Sequence, residues 1–184
     1  MSLRFWNSLS PRGKRILTIA LVLVAAIIIT GLSMLTPMTH KQAVDADNQF
    51  NQTIQSVEGA GGEEVFTWIF GHNLFITMLE FIPFIGPVIG FISAYATGTA
   101  LESEAIAMGY SPALVFASEL LLPIFWLEFI SYSTAIAASI WLTVRILQGN
   151  FRHEIANTAK FLALCAVILL VSAAIETALI YAIK

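Results

Sequence analysis

Charged residues are scarce in this sequence. Of its 184 residues, 9 are Lys or Arg and 12 are Asp or Glu, which is 11% of the chain, whereas soluble domains carry about 25%. Hydrophobic residues make up 58% and the mean hydropathy is +0.82, more apolar surface than a water-soluble fold of this size buries. The composition therefore predicts an integral membrane protein. The net charge of -3 argues against binding to nucleic acid, which needs a basic face.

Cysteine and the common catalytic motifs are also nearly absent. The single cysteine, Cys165, has no partner for an intrachain disulfide or a cysteine metal site. The sequence contains no His-Glu-x-x-His zinc motif, no Gly-x-Ser-x-Gly elbow and no P-loop. No aspartate lies in a predicted span, which argues against an aspartate-dyad intramembrane protease. We therefore expect no enzyme activity, no metal site and no cofactor.

The N-terminal region combines basic and aromatic residues with a long apolar run. Residues 1–15 predict a short cytoplasmic interfacial helix that ends near Pro11. Residues 16–38 are uncharged, long enough to cross about 30 Å of hydrocarbon, and predict the first transmembrane helix. A signal peptide is the alternative, but the run is too long for one and no convincing cleavage site follows it. Residues 39–64 are polar and predict an extracytoplasmic acidic loop.

The rest of the chain, residues 65–183, predicts a four-span helical bundle. Its first part, 65–101, is too long for one span, and prolines and glycine between positions 83 and 87 predict a tight turn inside it. Pro123 separates a short helix from a full span, and a polar patch covers 148–160. The predicted spans are 65–82, 87–101, 123–146 and 161–183, with the short helix at 112–120.

Positive charges predict the orientation of these spans. With five spans, residues 1–15 and 145–160 share one side of the membrane, and the acidic segments 39–64 and 102–104 share the other. Basic residues concentrate on the cytoplasmic side, so we expect a cytoplasmic N-terminus and an extracytoplasmic C-terminus in the cell membrane. The basic side holds seven of the nine Lys and Arg residues: Arg4, Arg12, Lys14, Arg15, Arg145, Arg152 and Lys160.

Small residues recur at four-residue spacing in two predicted spans. Such rows let helix backbones approach closely in lipid. We interpret them as helix-packing faces; a dimer interface or a narrow lined path is the alternative. One row is Gly86, Gly90, Ala94 and Gly98, and the other is Ser131, Ala135, Ser139 and Thr143.

Glutamates in apolar surroundings are the main candidates for chemistry. A charged residue inside a membrane costs about 2.5–3.5 kcal/mol on insertion scales, and no Lys or Arg lies at mid-span to pair with one. Glu128 lies 17 residues before Arg145, which is about 25 Å along a helix and places it in the outer half of the membrane. The same arithmetic predicts an acidic cluster that opens outward. The four glutamates are Glu80, Glu119, Glu128 and Glu176.

This candidate intramembrane site has two interpretations. One is a functional site: a vestibule that binds a cation or a proton, or a polar docking site for a partner helix. The other is a set of protonated glutamates hydrogen-bonded between helices. His72 and Asn73 belong to the candidate site because they precede Glu80 on the same predicted span. Hydrogen bonding between helices is favoured for both over metal binding, because a lone histidine with one distant glutamate is a weak metal signal.

Several segments resemble a known family. Residues 71–74 read Gly-His-Asn-Leu, a glycine-rich span follows, and Pro123 and Glu128 keep a five-residue spacing before an alanine-rich stretch. Together with Ala-Ala-Ile-Glu at 173–176, they resemble the stage II sporulation protein M family of multi-span prokaryotic membrane proteins. Where that family has His-Gly after the proline, this chain has Ile and Phe at 124–125. The resemblance implies a scaffold or assembly role with partner proteins rather than catalysis.

We therefore expect an all-α integral membrane bundle of about five transmembrane helices with a short N-terminal interfacial helix. The leading hypothesis is a non-enzymatic scaffold in a membrane complex. Its partners would be membrane lipid and other membrane proteins or further copies of the chain. The alternative is a channel or transporter subunit that binds a cation or proton at Glu128, together with Glu80 or Glu176.

Overall fold

The computed structural model describes residues 3–59 and 61–183, and all regular structure in this part of the chain is helical. The all-α prediction is confirmed for these residues. They form eight helices: α1 Leu3–Ser8, α2 Pro11–Ser33, α3 His40–Glu58, α4 Gly62–Glu80, α5 Gly86–Met108, α6 Pro112–Glu119, α7 Pro123–Leu147 and α8 Arg152–Ile183.

Among the described helices, three are long and apolar enough to cross a membrane. They are α2, α7 and the Arg152–Ala182 part of α8. Large apolar side chains such as Leu32 of α2 and Val167 of α8 point away from the protein and are about 60% exposed (61% and 60%). Lipid solvates such side chains and water does not, so the chain is a membrane protein, as its composition predicted.

Proline marks where several helices begin rather than where they end. It has no N–H to donate, and the first turn of a helix does not need one. At α2, the Ser10 side chain accepts a hydrogen bond of 3.1 Å from the Gly13 N–H, so the helix begins at Pro11. The first long helix therefore covers Pro11–Ser33 and not 16–38. Prolines in the first turn are Pro11, Pro87, Pro112 and Pro123.

The expected acidic loop at 39–64 is mostly a helix. Helix α3 is 19 residues long and packs against α5 and α4. Ala43 on its inner face is completely buried, whereas Asp45 and Asn48 on its outer face are exposed. The loop prediction was wrong about this segment because α3 buries its small apolar side against the other helices. The polar patch expected at 148–160 is not separate either, since most of it forms the first turns of α8.

The turn between α4 and α5 is held against α7. Ser139 Oγ donates a hydrogen bond of 2.7 Å to the Ile82 carbonyl, and the Phe84 N–H donates one of 2.8 Å to Thr143 Oγ1. Phe84 has a positive φ of 69°, which is uncommon for a bulky side chain. Two residues of the small row on α7 therefore fix this strained turn, which lies where the sequence predicted it.

The small row of α5 packs within the same chain. A Cβ atom at Gly98 would overlap Ser33 and Thr30 of α2, and one at Gly90 would overlap Ile136 of α7. Close approach also lets Thr30 Oγ1 donate a hydrogen bond of 3.0 Å to the Ala94 carbonyl. The α2 backbone and the Ile136 side chain of α7 thus both contact the small row of α5, and this face has no room for a second copy of the protein.

Candidate functional site

Glu128 on α7 is held by a side chain from α4. Asn73 Nδ2 donates a hydrogen bond of 2.7 Å to Glu128 Oε1. Asn73 is buried and Glu128 is half-buried between the helices. This contact brings together two of the residues that the sequence identified separately.

Two further glutamates lie near this pair. The carboxyl groups of Glu176, on α8, and Glu119, at the end of α6, are close enough to Glu128 to interact with it electrostatically. Glu176 and Glu119 also interact with each other. Three glutamates from three helices therefore surround one region.

Glu80 is the most deeply buried of the candidate residues. Its side chain is completely inaccessible, and neither carboxyl oxygen has a hydrogen-bond partner among the described residues. It occupies space left by Gly90: a Cβ atom at that glycine would lie 3.2 Å from Glu80 Oε1. The small row on α5 thus makes room for a carboxyl group as well as for a helix.

Tyr132 lies between Glu80 and the other glutamates. Glu128, Glu80 and Glu176 all interact electrostatically with its phenol group. On α7, Tyr132 is one turn beyond Glu128, and Ile136, which borders Gly90 beside Glu80, is one turn further. The axial distance from Glu128 to the level of Glu80 is about 12 Å, eight residues at 1.5 Å each.

At the α3 end of the molecule, the acidic residues continue to the surface. Glu104 of α5 lies near Asp47 of α3 and near Glu119. Partial burial, together with the Asp47 carboxylate, raises the pKa of Glu104. Acidic side chains therefore form a row that begins beside α3 and extends to Glu80, the last residue of α4. We call this arrangement the acidic row: Glu104, Glu119, Glu128, Glu176 and Glu80.

His72 does not join the acidic row. It is exposed on the outside of α4, where its ring stacks on Trp68 with centroids 5.4 Å apart. Residues four apart on a helix share a face, so this contact is local. Asn73, one position later, points to the interior instead.

Residues that the sequence did not include in the site also line this region. Thr77 and Ser172 are completely buried. The Thr77 hydroxyl has no hydrogen-bond partner in the described part of the chain, whereas the Ser172 hydroxyl lies close to the Glu128 carboxyl group. Thr77 lies four residues after Asn73 and three before Glu80, a helical spacing that is visible in the sequence. Helical spacing from the glutamates would have added Thr77 and Tyr132 to the candidate list.

The acidic row extends along the helices and does not form a chelating cluster. Within residues 3–59 and 61–183, no group of three or more His, Cys, Asp and Glu side chains is arranged to hold a metal ion. A row of separate carboxyl groups suits species that bind to one or two carboxyls at a time, such as protons. Compared with known proteins, the chain matches no family model, no curated protein and no solved structure.

Proposed function

We propose that this chain is a five-span membrane protein that binds and transfers protons, or small monovalent cations, along the acidic row. The spans would be the three apolar helices together with α4 and the part of α5 before Glu104. These two helices have 19 and 23 residues, which at 1.5 Å per residue is about 28 and 34 Å. Transmembrane helices have about 17–25 residues, so α4 and the 18 residues of α5 before Glu104 are long enough.

The proposed orientation puts the N-terminus in the cytoplasm and the C-terminus outside. The positive-inside rule supports it, because the turn before α8 and the N-terminal residues then share the basic side. Helix α3 lies outside in this arrangement, and the acidic row begins there at Glu104. Glu80 lies near the cytoplasmic end of α4.

The observation that carries the proposal is Glu80, whose carboxyl oxygens are both buried and unpaired. An ionised carboxylate without a hydrogen-bond donor is strongly unfavourable in an apolar interior. The negative charge of Glu80 must therefore be neutralised, either by a covalently bound proton or by a bound cation. Intramembrane acidic residues commonly mark proton or ion pathways.

The acidic row supplies a stepwise route to Glu80. A proton would enter at Glu104 and Glu119, pass to Glu128 or Glu176, reach Glu80 past the Tyr132 hydroxyl, and leave Glu80 on the cytoplasmic side. Asn73 holds Glu128 in place on this route. The route needs no nucleophile and no bond cleavage in a substrate, so we propose no enzymatic activity.

Flux through purified protein in sealed liposomes tests this function. An internal pH dye would report proton entry under a potassium diffusion potential, and parallel assays would follow Na⁺ and K⁺. We expect flux from the natural sequence and its loss in Glu80→Gln and in Glu128→Gln. Glutamine keeps the size and neutrality of a protonated glutamate, so folding should survive, which a size-exclusion profile would check.

Glu63→Gln is the matched control, because Glu63 is exposed at the first turn of α4. It removes the same carboxyl group from the same helix outside the acidic row, and flux should be unchanged. Absence of flux for all three ions in well-folded natural protein would reject the proposal. So would normal flux in Glu80→Gln.

A membrane scaffold is the second candidate, and helix α3 favours it. This helix presents exposed polar residues, including Lys41, Gln42, Asp45 and Asn48, on a rigid surface. Such a surface suits a partner protein better than a mobile loop would. The sequence resemblance to the stage II sporulation protein M family, an assembly component, points the same way. The scaffold would be favoured if partners cross-linked at Asp45→Cys in a Cys165→Ala background while flux was absent.

A further inference from the structure

A second polar site lies at the basic end of the molecule, away from the acidic row. It is a cavity of about 270 Å³ between the start of α2, the end of α7 and the start of α8. Pockets for drug-sized ligands are about 300–1,000 Å³, so this one suits a smaller group. Its lining residues are Pro11, Arg15, Arg145, Asn150, His153, Glu154 and Asn157.

The charges in this pocket are unbalanced. Glu154 is 3% exposed and accepts two hydrogen bonds from Arg15, of 2.7 and 2.6 Å. This bidentate pair neutralises both residues. Arg145 makes its hydrogen bond to the neutral Gln148, and no other carboxylate lines the pocket in the described residues. One positive charge therefore remains, which an anionic ligand would balance.

Aromatic side chains show the depth of the pocket. Trp6 stacks on Trp141 with ring centroids 6.4 Å apart, and the Arg15 guanidinium lies 5.2 Å from the Trp141 ring. Tryptophan is enriched where hydrocarbon meets the lipid headgroups. Arg145 lies one helical turn beyond Trp141 towards the end of α7, about 6 Å along the axis. The pocket is therefore at headgroup depth.

Exposed apolar side chains lie on the helix ends that form the pocket. Leu147, Phe151 and Ile155 follow lining residues by one or two positions and are 74%, 42% and 49% exposed. Ile16, next to Arg15, is 68% exposed. Because lipid solvates such side chains and water does not, the lipid around these helix ends would supply phosphate headgroups at the level of the pocket.

We propose that this pocket binds the phosphate headgroup of an anionic phospholipid. Arg145 supplies the unbalanced charge, and Asn157 and His153 supply hydrogen-bonding groups on the α8 side. The Arg15–Glu154 pair forms the wall and holds α2 against α8. Basic pockets between membrane helices commonly bind anionic headgroups. The site does not depend on the acidic row or on transport.

Native mass spectrometry of delipidated protein in detergent tests this site. The protein would be titrated with phosphatidylglycerol and, separately, with phosphatidylcholine, and we expect tighter binding of phosphatidylglycerol. Arg145→Gln should weaken that binding about tenfold, the effect of one lost charge-assisted hydrogen bond. Arg152→Gln is the matched control, because Arg152 is exposed and does not line the pocket; its affinity should stay that of the natural protein.

Three results would overturn the proposal. Equal weakening by Arg145→Gln and Arg152→Gln would mean general attraction to a basic surface. Displacement of the lipid by an equal concentration of inorganic phosphate would mean a site for soluble phosphate. Equal affinity for both lipids would mean no headgroup selection. If Arg145→Gln fails to fold, Asn157→Ala serves instead, because the Asn157 amide lines the pocket and shares a hydrogen bond with His153; unchanged affinity in that variant would also overturn the proposal.

Discussion

Asn73 and Glu128, 55 positions apart in sequence, share a hydrogen bond of 2.7 Å between α4 and α7. The amide donates and the carboxyl oxygen accepts. A carboxyl group accepts such a bond in its protonated and its ionised form, so Asn73 positions Glu128 whether or not Glu128 carries a proton. This property suits a residue that exchanges protons during function.

Replacing Asn73 by alanine should destabilise the protein modestly. Hydrogen bonds between membrane helices contribute about 0.6 kcal/mol on average and up to about 1.7 kcal/mol. We expect Asn73→Ala to lower the free energy of unfolding by about 1 kcal/mol in this range, measured by unfolding in mixed detergent micelles. A double-mutant cycle with Glu128→Ala should show that most of this loss depends on Glu128.

His72→Ala is the control for that measurement. It changes the adjacent position on α4, where the ring is exposed and stacks on Trp68. Its effect should be smaller and independent of Glu128. Equal coupling of His72 and Asn73 to Glu128 would contradict the assigned hydrogen bond.

Gly98→Ala should separate α5 from α2. The added methyl group would overlap Ser33 Oγ and the Thr30 carbonyl, and the backbone carbonyl cannot rotate away. Overpacking of this kind costs about 1–3 kcal/mol. The expected result is a lower melting temperature in detergent.

Gly71→Ala is the matched control, because it adds the same methyl group to a helix at a position where it would contact no other atom. No atom lies within 4 Å of a Cβ placed at Gly71, and alanine favours a helix over glycine by about 1 kcal/mol. We therefore expect an unchanged or higher melting temperature. A similar loss for both variants would show that the α5–α2 contact is not as close as described.

The helices that begin at Pro112 and Pro123 were the most predictable part of the fold. The expected span 123–146 became Pro123–Leu147, and the short helix 112–120 became Pro112–Glu119. Helix α3 was missed although Ala43, Phe50 and Ile54 recur with helical spacing. Its high polarity was interpreted as a loop, because polarity shows exposure but does not by itself distinguish a helix from a loop.

The sequence placed some of the glutamates at one level of the bundle, but it did not predict the contacts between them. The constant rise of a helix places Glu128 and Glu176 at one level. It does not fix the rotation of one helix about its axis relative to another, which decides that Asn73 faces Glu128 while His72 faces outward. The isolation of Glu80 depends on side chains from other helices, such as Ile136 beside Gly90, and a single helix carries no information on them.

Arg15→Gln should be the most destabilising of the substitutions at the basic end. It would leave the Glu154 carboxylate, 3% exposed, without its bidentate partner. Breaking a buried ion pair from one side costs about 3–5 kcal/mol, and we expect about 3 kcal/mol because Arg15 itself is partly exposed. Arg12→Gln removes an exposed charge three residues earlier and should change stability little. Unfolding in mixed micelles would compare the two, and equal effects would show that the ion pair is not formed.

Glu104 gives the contact between α3 and α5 a dependence on pH. Partial burial and the Asp47 carboxylate raise its pKa above the ordinary 4.5. As the pH rises through 4.5, the unfolded chain releases this proton before the folded protein does. Stability is therefore lost from about pH 4.5 upward until Glu104 has also ionised in the folded state.

Glu104→Gln should remove this loss. At pH 7 the variant should be more stable than the natural protein, by less than about 1 kcal/mol because water screens partly exposed charges. At pH 4, where the carboxyl group is mostly protonated in both states, the two proteins should melt together. Glu63→Gln, at an exposed position of α4, should show no such difference between the two pH values. The opposite result, a Glu104→Gln variant less stable than the natural protein at pH 7, would contradict this prediction. It would show that the surroundings of Glu104 stabilise the ionised carboxylate, although Asp47 lies beside it.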